Sequence, residues 1–114
     1  MNKIFKGKTV LITGGKGDIG SSLVRTFNSL GANIITTTTS LSGLKQKNQT
    51  IKYYHLDFLK LETLYKFIEE INKIKVDILV NNAGVNYVDS ILNIKDNKIT
   101  DLLNINLKSQ ILLT

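Results

Sequence analysis

Between residues 8 and 30 an apolar run, KTVLIT, breaks on the glycines of GGKGDIG and re-enters a helical pattern, DIGSSLVRTFNSL. Few arrangements satisfy such a junction. A strand must end, the chain must turn tightly on residues without side chains, and a helix must start at once. The turn lets backbone approach a ligand closely. The unpaired N–H groups and positive dipole end of the helix then face an anion. The junction therefore predicts a strand–turn–helix unit built to hold a phosphate, with a nucleotide as the leading ligand. The competing reading is a glycine turn that packs a helix on a strand with no ligand.

The remaining pattern alternates in the same way. Strands are predicted at Lys8–Thr13, Asn33–Thr38, Ile51–Asp57 and Asp77–Asn81. Helices are predicted at about Asp18–Leu30, Leu59–Ile74 and Asp96–Leu113. In the first, Ile19, Leu23, Phe27 and Leu30 share one face. In the second, Leu61, Leu64, Phe67, Ile68 and Ile71 do so. Gly31 is a natural stop signal. Polar loops are expected over 40–50 and from Asn82 to about Asn93. Strict alternation implies a parallel sheet with helices on both faces. Right-handed crossovers give strand order 3-2-1-4, the first half of a Rossmann-type doubly wound α/β fold. The 114 residues form one domain.

Composition excludes several classes. With no cysteine, neither disulfides nor thiolate metal sites exist. No His, Cys or carboxylate cluster has metal-ligand spacing, and His55, the single histidine, has no triad around it. The net charge of +6 comes from scattered lysines, and Arg25 is the only arginine. Nucleic-acid surfaces concentrate charge and use arginine, so neither that partner nor a membrane is expected. No signal peptide or spanning segment is apparent, and a cytoplasmic protein is expected.

Four further groups of residues bear on a ligand. The second strand ends in Thr36–Ser40, where a dinucleotide site for NAD carries an acid on the ribose. This chain offers Thr37, Thr38, Thr39 and Ser40 there instead, hydroxyls that can donate to a 2′-phosphate that a carboxylate would repel, and Lys16 can supply positive charge. The same run is equally a β-prone strand beside an exposed lysine. Asn81-Asn82-Ala83-Gly84 lies at the carboxyl end of the fourth strand, the edge where such sheets place ligands; taken alone it is a turn. Asp57 ends the third strand at the same edge, with Phe58 next to it. Asn106 shares a helical face with Ile99, Leu102, Leu103 and Leu113. It is either a buried amide with a task or a partly exposed one at the helix edge.

Together these motifs resemble the short-chain dehydrogenase/reductase family over nearly the whole chain. Thr13-Gly14 with Gly20 is similar to its cofactor loop. Asp57 resembles its adenine-contacting acid, Asn81–Gly84 its NNAG signature, and Asn106 in NINLKS its helix asparagine. Within the family, ITTTTS, DILVNNAGVNYVDSIL and NINLKS look most like 3-oxoacyl-(acyl carrier protein) reductases. The resemblance implies an oxidoreductase that moves hydride between a nicotinamide and a carbonyl or alcohol carbon. NADP(H) is the expected cofactor, with NAD(H) left open, and a small-molecule substrate and a homo-oligomer are implied. Cofactor contacts are then expected from Gly14, Gly15, Lys16, Gly17, Asp18, Ile19, Gly20, Thr38, Thr39, Asp57, Phe58, Asn82, Ala83 and Gly84. Asn106 would stand in the proton relay.

Two departures stand out. Asp18 occupies the place of the loop's usual middle glycine, where it either caps the helix or weakens pyrophosphate binding. The family's Y-x-x-x-K is absent: four residues after Tyr53, Tyr54, Tyr65 and Tyr87 stand Asp57, Phe58, Glu69 and Ile91. The expectation is an N-terminal, cofactor-binding part of a longer reductase, inactive alone. The rival is a non-catalytic nucleotide-binding module or a partner-dependent half domain.

Overall fold

The computed structural model describes residues 3–42, 49–84 and 95–114, the side chain of Gln110 excepted. It is a parallel sheet of β1 (Thr9–Ile12), β2 (Asn33–Thr38), β3 (Ile51–His55) and β4 (Ile78–Val80), in the order β3-β2-β1-β4. The helices are α1 (Asp18–Ser29), α2 (Leu61–Ile71), α3 (Asp96–Leu103) and α4 (Ser109–Leu113), the last two joined by a π-helical segment, Asn104–Lys108. The expected order and architecture are therefore found. Parts of the two expected loops, 43–48 and 85–94, lie outside the described residues, as does Tyr87.

The continuous apolar runs follow from burial on both faces of the sheet. Side chains alternate along a strand, so Val10 and Ile12 of β1 go one way with Ile34 of β2. They pack there on Val24 of α1. Leu11 and Ile35 go the other way, onto Leu64 and Phe67 of α2 and Ile105 of the π segment. Register keeps like with like: Val10 faces Ile34 and Ile78 across the ladders, and Leu11 faces Ile35 and Leu79. Each fully buried aliphatic side chain contributes roughly 1.5–3 kcal/mol.

The helix boundaries have local causes. Gly31 sits at φ +96 after α1, a left-handed conformation, and a Cβ there would meet Lys3 and Lys6. Phe5 of that N-terminal segment stacks obliquely on Phe27, centroids 5.1 Å apart. The start of α2 slips from the expected Leu59 to Leu61. The Asp57 carboxylate takes the N–H of Leu59 at 3.0 Å, and the Asp57 carbonyl takes that of Lys60 at 2.9 Å. This turn competes with helix. The expected single helix over Asp96–Leu113 is divided by the π segment. Its outer side exposes Leu103, Leu107 and Ile111. Ile19 also leaves its expected face. It is 71% exposed, and Val24 takes its place in the core.

At the end of the sheet opposite the glycine turn, Asp77 ties β1 to β4. Its Oδ2 accepts from Thr9 N–H at 2.9 Å, and its own N–H donates to the Thr9 carbonyl. The Thr9 N–H bond, helped by Lys75 and Lys8 and opposed by desolvation, holds this carboxyl below its ordinary 3.8. A lowered folded pKa means that the unfolded chain binds the proton more readily. The stabilisation is therefore present above 3.8 and lost as pH falls through the folded value. Asp77→Asn should unfold at lower urea concentration near neutral pH. The difference from the parent should shrink in strongly acidic buffer. Parallel urea midpoints at all pH values would show that the carboxylate does not act this way.

Candidate functional site

At the carboxyl edge of the sheet the first turn of α1, the ends of β2 and β3, and the loop after β4 enclose an open cleft of about 550 Å³. Its position follows from the topology. The chain leaves β1 for β2 on one side, and the crossover from β3 returns to place β4 on the other side of β1, so the loops part at this point.

Each glycine of the turn has its own reason. Gly14 sits at φ +71, which reverses the chain. A Cβ on Gly15 would collide with the Thr36 hydroxyl. A Cβ on Gly20 would collide with the Gly14 carbonyl oxygen and come within 2.8 Å of Asn82 Nδ2. Gly17 differs. Its φ is −71, and a Cβ there would find only the Gly14 oxygen, at an ordinary 3.6 Å. Neither packing nor backbone conformation requires glycine at that position. Its bareness leaves the helix N-terminus open toward the cleft.

A buried hydroxyl joins the two central loops. Thr13 is fully buried, and its Oγ1 accepts N–H bonds from Asn82 at 3.0 Å and Ala83 at 2.9 Å. The Asn82 amide returns two bonds, to the carbonyls of Thr13 at 3.0 Å and Gly14 at 3.3 Å. Asn82 thus acts on the protein itself, fixing the glycine turn against the end of β4. That leaves Ala83 and Gly84 as a small-sided wall of the cleft.

The cleft collects nearly every cofactor residue expected from the sequence: Gly14, Lys16, Gly17, Asp18, Ile19 and Gly20 from the turn, Thr38 and Thr39 from β2 and its end, Asp57 and Phe58 after β3, and Asn82–Gly84. Gly15 is the one left out. It faces Thr36, and its N–H donates to the Thr37 carbonyl at 3.2 Å. Asp18 makes no capping bond. Gly17 is the N-cap residue, and Asp18 stands in the first turn of α1 as an exposed carboxylate. Of its two expected roles, helix capping through a side-chain bond is not found. The Thr38 hydroxyl donates to the Ser40 carbonyl at 3.0 Å and accepts from its N–H, so it is engaged locally. Thr39 is exposed at the rim.

Asn106 lies on the π segment and is exposed, not buried as the first of the two expected settings had it. It stands beyond Gly84, where a Cβ would come within 3.1 Å of its Oδ1. A π turn widens the helix and re-aims its side chains, and such turns recur at functional sites. Two cleft residues were not among the sequence candidates, Leu56 and Ile105, while a third, Thr37, was among the hydroxyls offered at the end of the second strand but not among the expected cofactor contacts. Thr37 carried a signal, since it belongs to the threonine run. Leu56 and Ile105 carried none beyond being apolar neighbours of Asp57 and Asn106. His55 lies apart, exposed on the edge strand β3. Among the described residues no group of His, Cys, Asp and Glu is placed to hold a metal ion, and no helix is long and apolar enough to cross a membrane.

Known proteins share this arrangement. The chain is 35% identical over 111 residues to the 3-oxoacyl-(acyl-carrier-protein) reductase of Rickettsia typhi, which covers 96% of this chain and 46% of that protein. It is 34% identical over 117 residues to the 2-dehydro-3-deoxy-D-gluconate 5-dehydrogenase of Bacillus subtilis, covering 96% and 46%. A short chain dehydrogenase from Leptospira borgpetersenii, solved with bound NAD+, superposes with a TM-score of 0.84 at 29% identity, over 96% of this chain and 44% of that one. The chain thus spans less than half the length of these relatives. Residues 8–114 match the short chain dehydrogenase family, a stretch that takes in all four strands, the glycine turn and the loop after β4. A match of that extent, on a fold with the same sheet, means that the chain belongs to the short chain dehydrogenase family.

Proposed function

We propose that this chain is the cofactor-binding part of an NADP(H)-preferring oxidoreductase of the short-chain dehydrogenase/reductase type, acting on a small carbonyl or alcohol substrate. The observation that carries the nucleotide reading is Gly17. It is bare where packing does not demand it, at a helix N-terminus facing the open cleft. The residues present fit the group. The N-terminus of α1 would receive the pyrophosphate, and Asp57 would accept from the adenine amine. Lys16 and Thr39 would meet the 2′-phosphate, with no carboxylate at the end of β2 to repel it. Asp18 opposes this field and would lower the affinity for any phosphate at the helix end.

The bound nicotinamide supplies the hydride chemistry. What this chain contributes is binding and orientation, with Asn106 beside Gly84 at the edge where a proton relay would begin. No tyrosine of the chain heads a Y-x-x-x-K. A positioned general acid typically contributes about 10²–10⁴-fold, so the chain by itself would not turn over a carbonyl substrate. The same observation supports the second reading, a non-catalytic nucleotide-binding module or partner-dependent half domain. Cytoplasmic location and homo-oligomer assembly of the complete protein belong to the proposal as well.

Titration with both cofactors tests it. NADP(H) should bind more tightly than NAD(H), and Lys16→Ala should weaken NADP(H) selectively by about tenfold, the scale of a lost charge-assisted contact. Tighter NAD(H) binding, or equal weakening of both cofactors by Lys16→Ala, would remove the NADP(H) preference from the proposal.

A further inference from the structure

The threonine run at the end of β2 does more than border the cleft. Thr36 and Thr37 are both buried, at 0% and 2% exposure, and their side chains leave the strand in opposite directions. The Thr36 hydroxyl donates to the Ile12 carbonyl at 2.5 Å and occupies the space that a Cβ on Gly15 would need. The Thr37 hydroxyl oxygen accepts the N–H of Gly14 at 3.1 Å, while the Thr37 carbonyl accepts that of Gly15 at 3.2 Å. Two consecutive residues of β2 thus grip two consecutive residues of the glycine turn.

We propose that Thr37 is a positioning residue for the nucleotide site: its hydroxyl holds Gly14 in the left-handed conformation that shapes the turn, and presents its own proton to the cleft. The proposal rests on the nucleotide reading above and goes beyond it, because Thr37 is not a residue that the 2′-phosphate argument needs. Gly14 at φ +71 orients the following residues, 15–17, toward the N-terminus of α1. Freed of its acceptor, the Gly14 N–H would seek another partner, and the turn would change shape to provide one. Among the bonds of the described residues the Thr37 oxygen is used only as an acceptor. Because Thr37 also lines the cleft, its one hydroxyl proton can donate to a ribose or phosphate oxygen of an occupant.

Thr37→Val keeps the shape and removes both functions, whereas Thr37→Ser keeps both. The test measures dissociation constants for NAD+ and NADP+ with the parent and the two variants, together with thermal unfolding. Hydrogen exchange of the Gly14 amide in ligand-free protein completes it. The expected result is a loss of about tenfold for both dinucleotides in Thr37→Val. Thr37→Ser should bind within about twofold of the parent, and the Gly14 amide should be protected in the parent and in Thr37→Ser but not in Thr37→Val. Parent-like binding by a folded Thr37→Val would overturn the proposal. So would a Gly14 amide that exchanges freely in the parent, a result independent of whether the valine variant folds. Binding of neither dinucleotide by the parent, with Gly14 protected, would instead sink the nucleotide reading and leave the Thr37–Gly14 contact as a purely structural one.

Discussion

Gly20→Ala is expected to destabilise the protein by about 3 kcal/mol and to abolish measurable dinucleotide binding. Two effects of opposite sign meet at this position. Alanine is the better helix former by about 1 kcal/mol, and Gly20 lies inside α1. Against that, its Cβ would run into the Gly14 carbonyl oxygen. This oxygen cannot swing aside. It belongs to the backbone, and it already accepts the Gly17 N–H at 3.2 Å and the Asn82 amide at 3.3 Å. The helix must therefore move off the turn, and overpacking of this kind costs about 1–3 kcal/mol, occasionally more. The second Cβ neighbour, Asn82 Nδ2, places the upper end in force, because displacing it also strains the Thr13 strut. Gly17→Ala is the control. Its φ is ordinary and its surroundings are open, so the stability change should stay within about 0.5 kcal/mol. Urea unfolding decides. A Gly20→Ala protein more stable than its parent would mean that α1 does not sit this close to the turn.

Thr13→Val should cost about 2–4 kcal/mol although the two side chains have nearly the same shape. The hydroxyl oxygen, wholly buried, is the acceptor for the N–H groups of Asn82 and Ala83. Deleting a buried acceptor charges the desolvation of each donor left behind, about 1–3 kcal/mol apiece. Asn82 and Ala83 are only half-buried, so water recovers part of this, which sets the estimate below the full sum. Thr13→Ser retains the oxygen and should lose roughly 1 kcal/mol, the worth of a buried methyl group. The readout is again the unfolding free energy, paired with dinucleotide affinity, since the strut also fixes the wall at Ala83–Gly84. A valine variant as stable as the serine variant would show that the hydroxyl is dispensable.

Much of this fold was legible in the chain because its determinants are local. The apolar centres Val10–Ile12 and Ile78–Val80 lie in strands, Gly31 ends α1 in a left-handed conformation, and the alternation of elements matches the observed order. Each signal depends on neighbours a few residues away, where period and turn chemistry act. The cleft was nearly as legible. In a parallel sheet with right-handed crossovers the loops that part at one edge are known once the strands are known. Hence the strand pattern alone brings Lys16, Asp57 and Asn82–Gly84 to one edge, where the cleft lies.

Side-chain partnership was not legible. From sequence, Thr37, Thr38 and Thr39 are equivalent hydroxyls beside a candidate phosphate. In the structure Thr37 serves Gly14, Thr38 serves Ser40, and only Thr39 stands exposed at the rim. Likewise Gly15 turned out to answer to Thr36 and not to the cleft, and Asn82 to Thr13 and Gly14. The π segment that carries Asn106, and the departure of Ile19 from the helix face shared by Leu23 and Phe27, also escaped the pattern. The physical reason is common to these cases. A helical or strand period describes how a segment meets a generic apolar surface, and it is set by the segment alone. Which hydroxyl accepts which N–H depends on distances between elements far apart in the chain, 23 residues for Gly14 and Thr37 and 69 for Thr13 and Asn82. The strand order and the placement of the turn were therefore determined by sequence, whereas the division of the polar groups between holding the turn and facing a ligand was decided only when the packed sheet brought them within bonding distance.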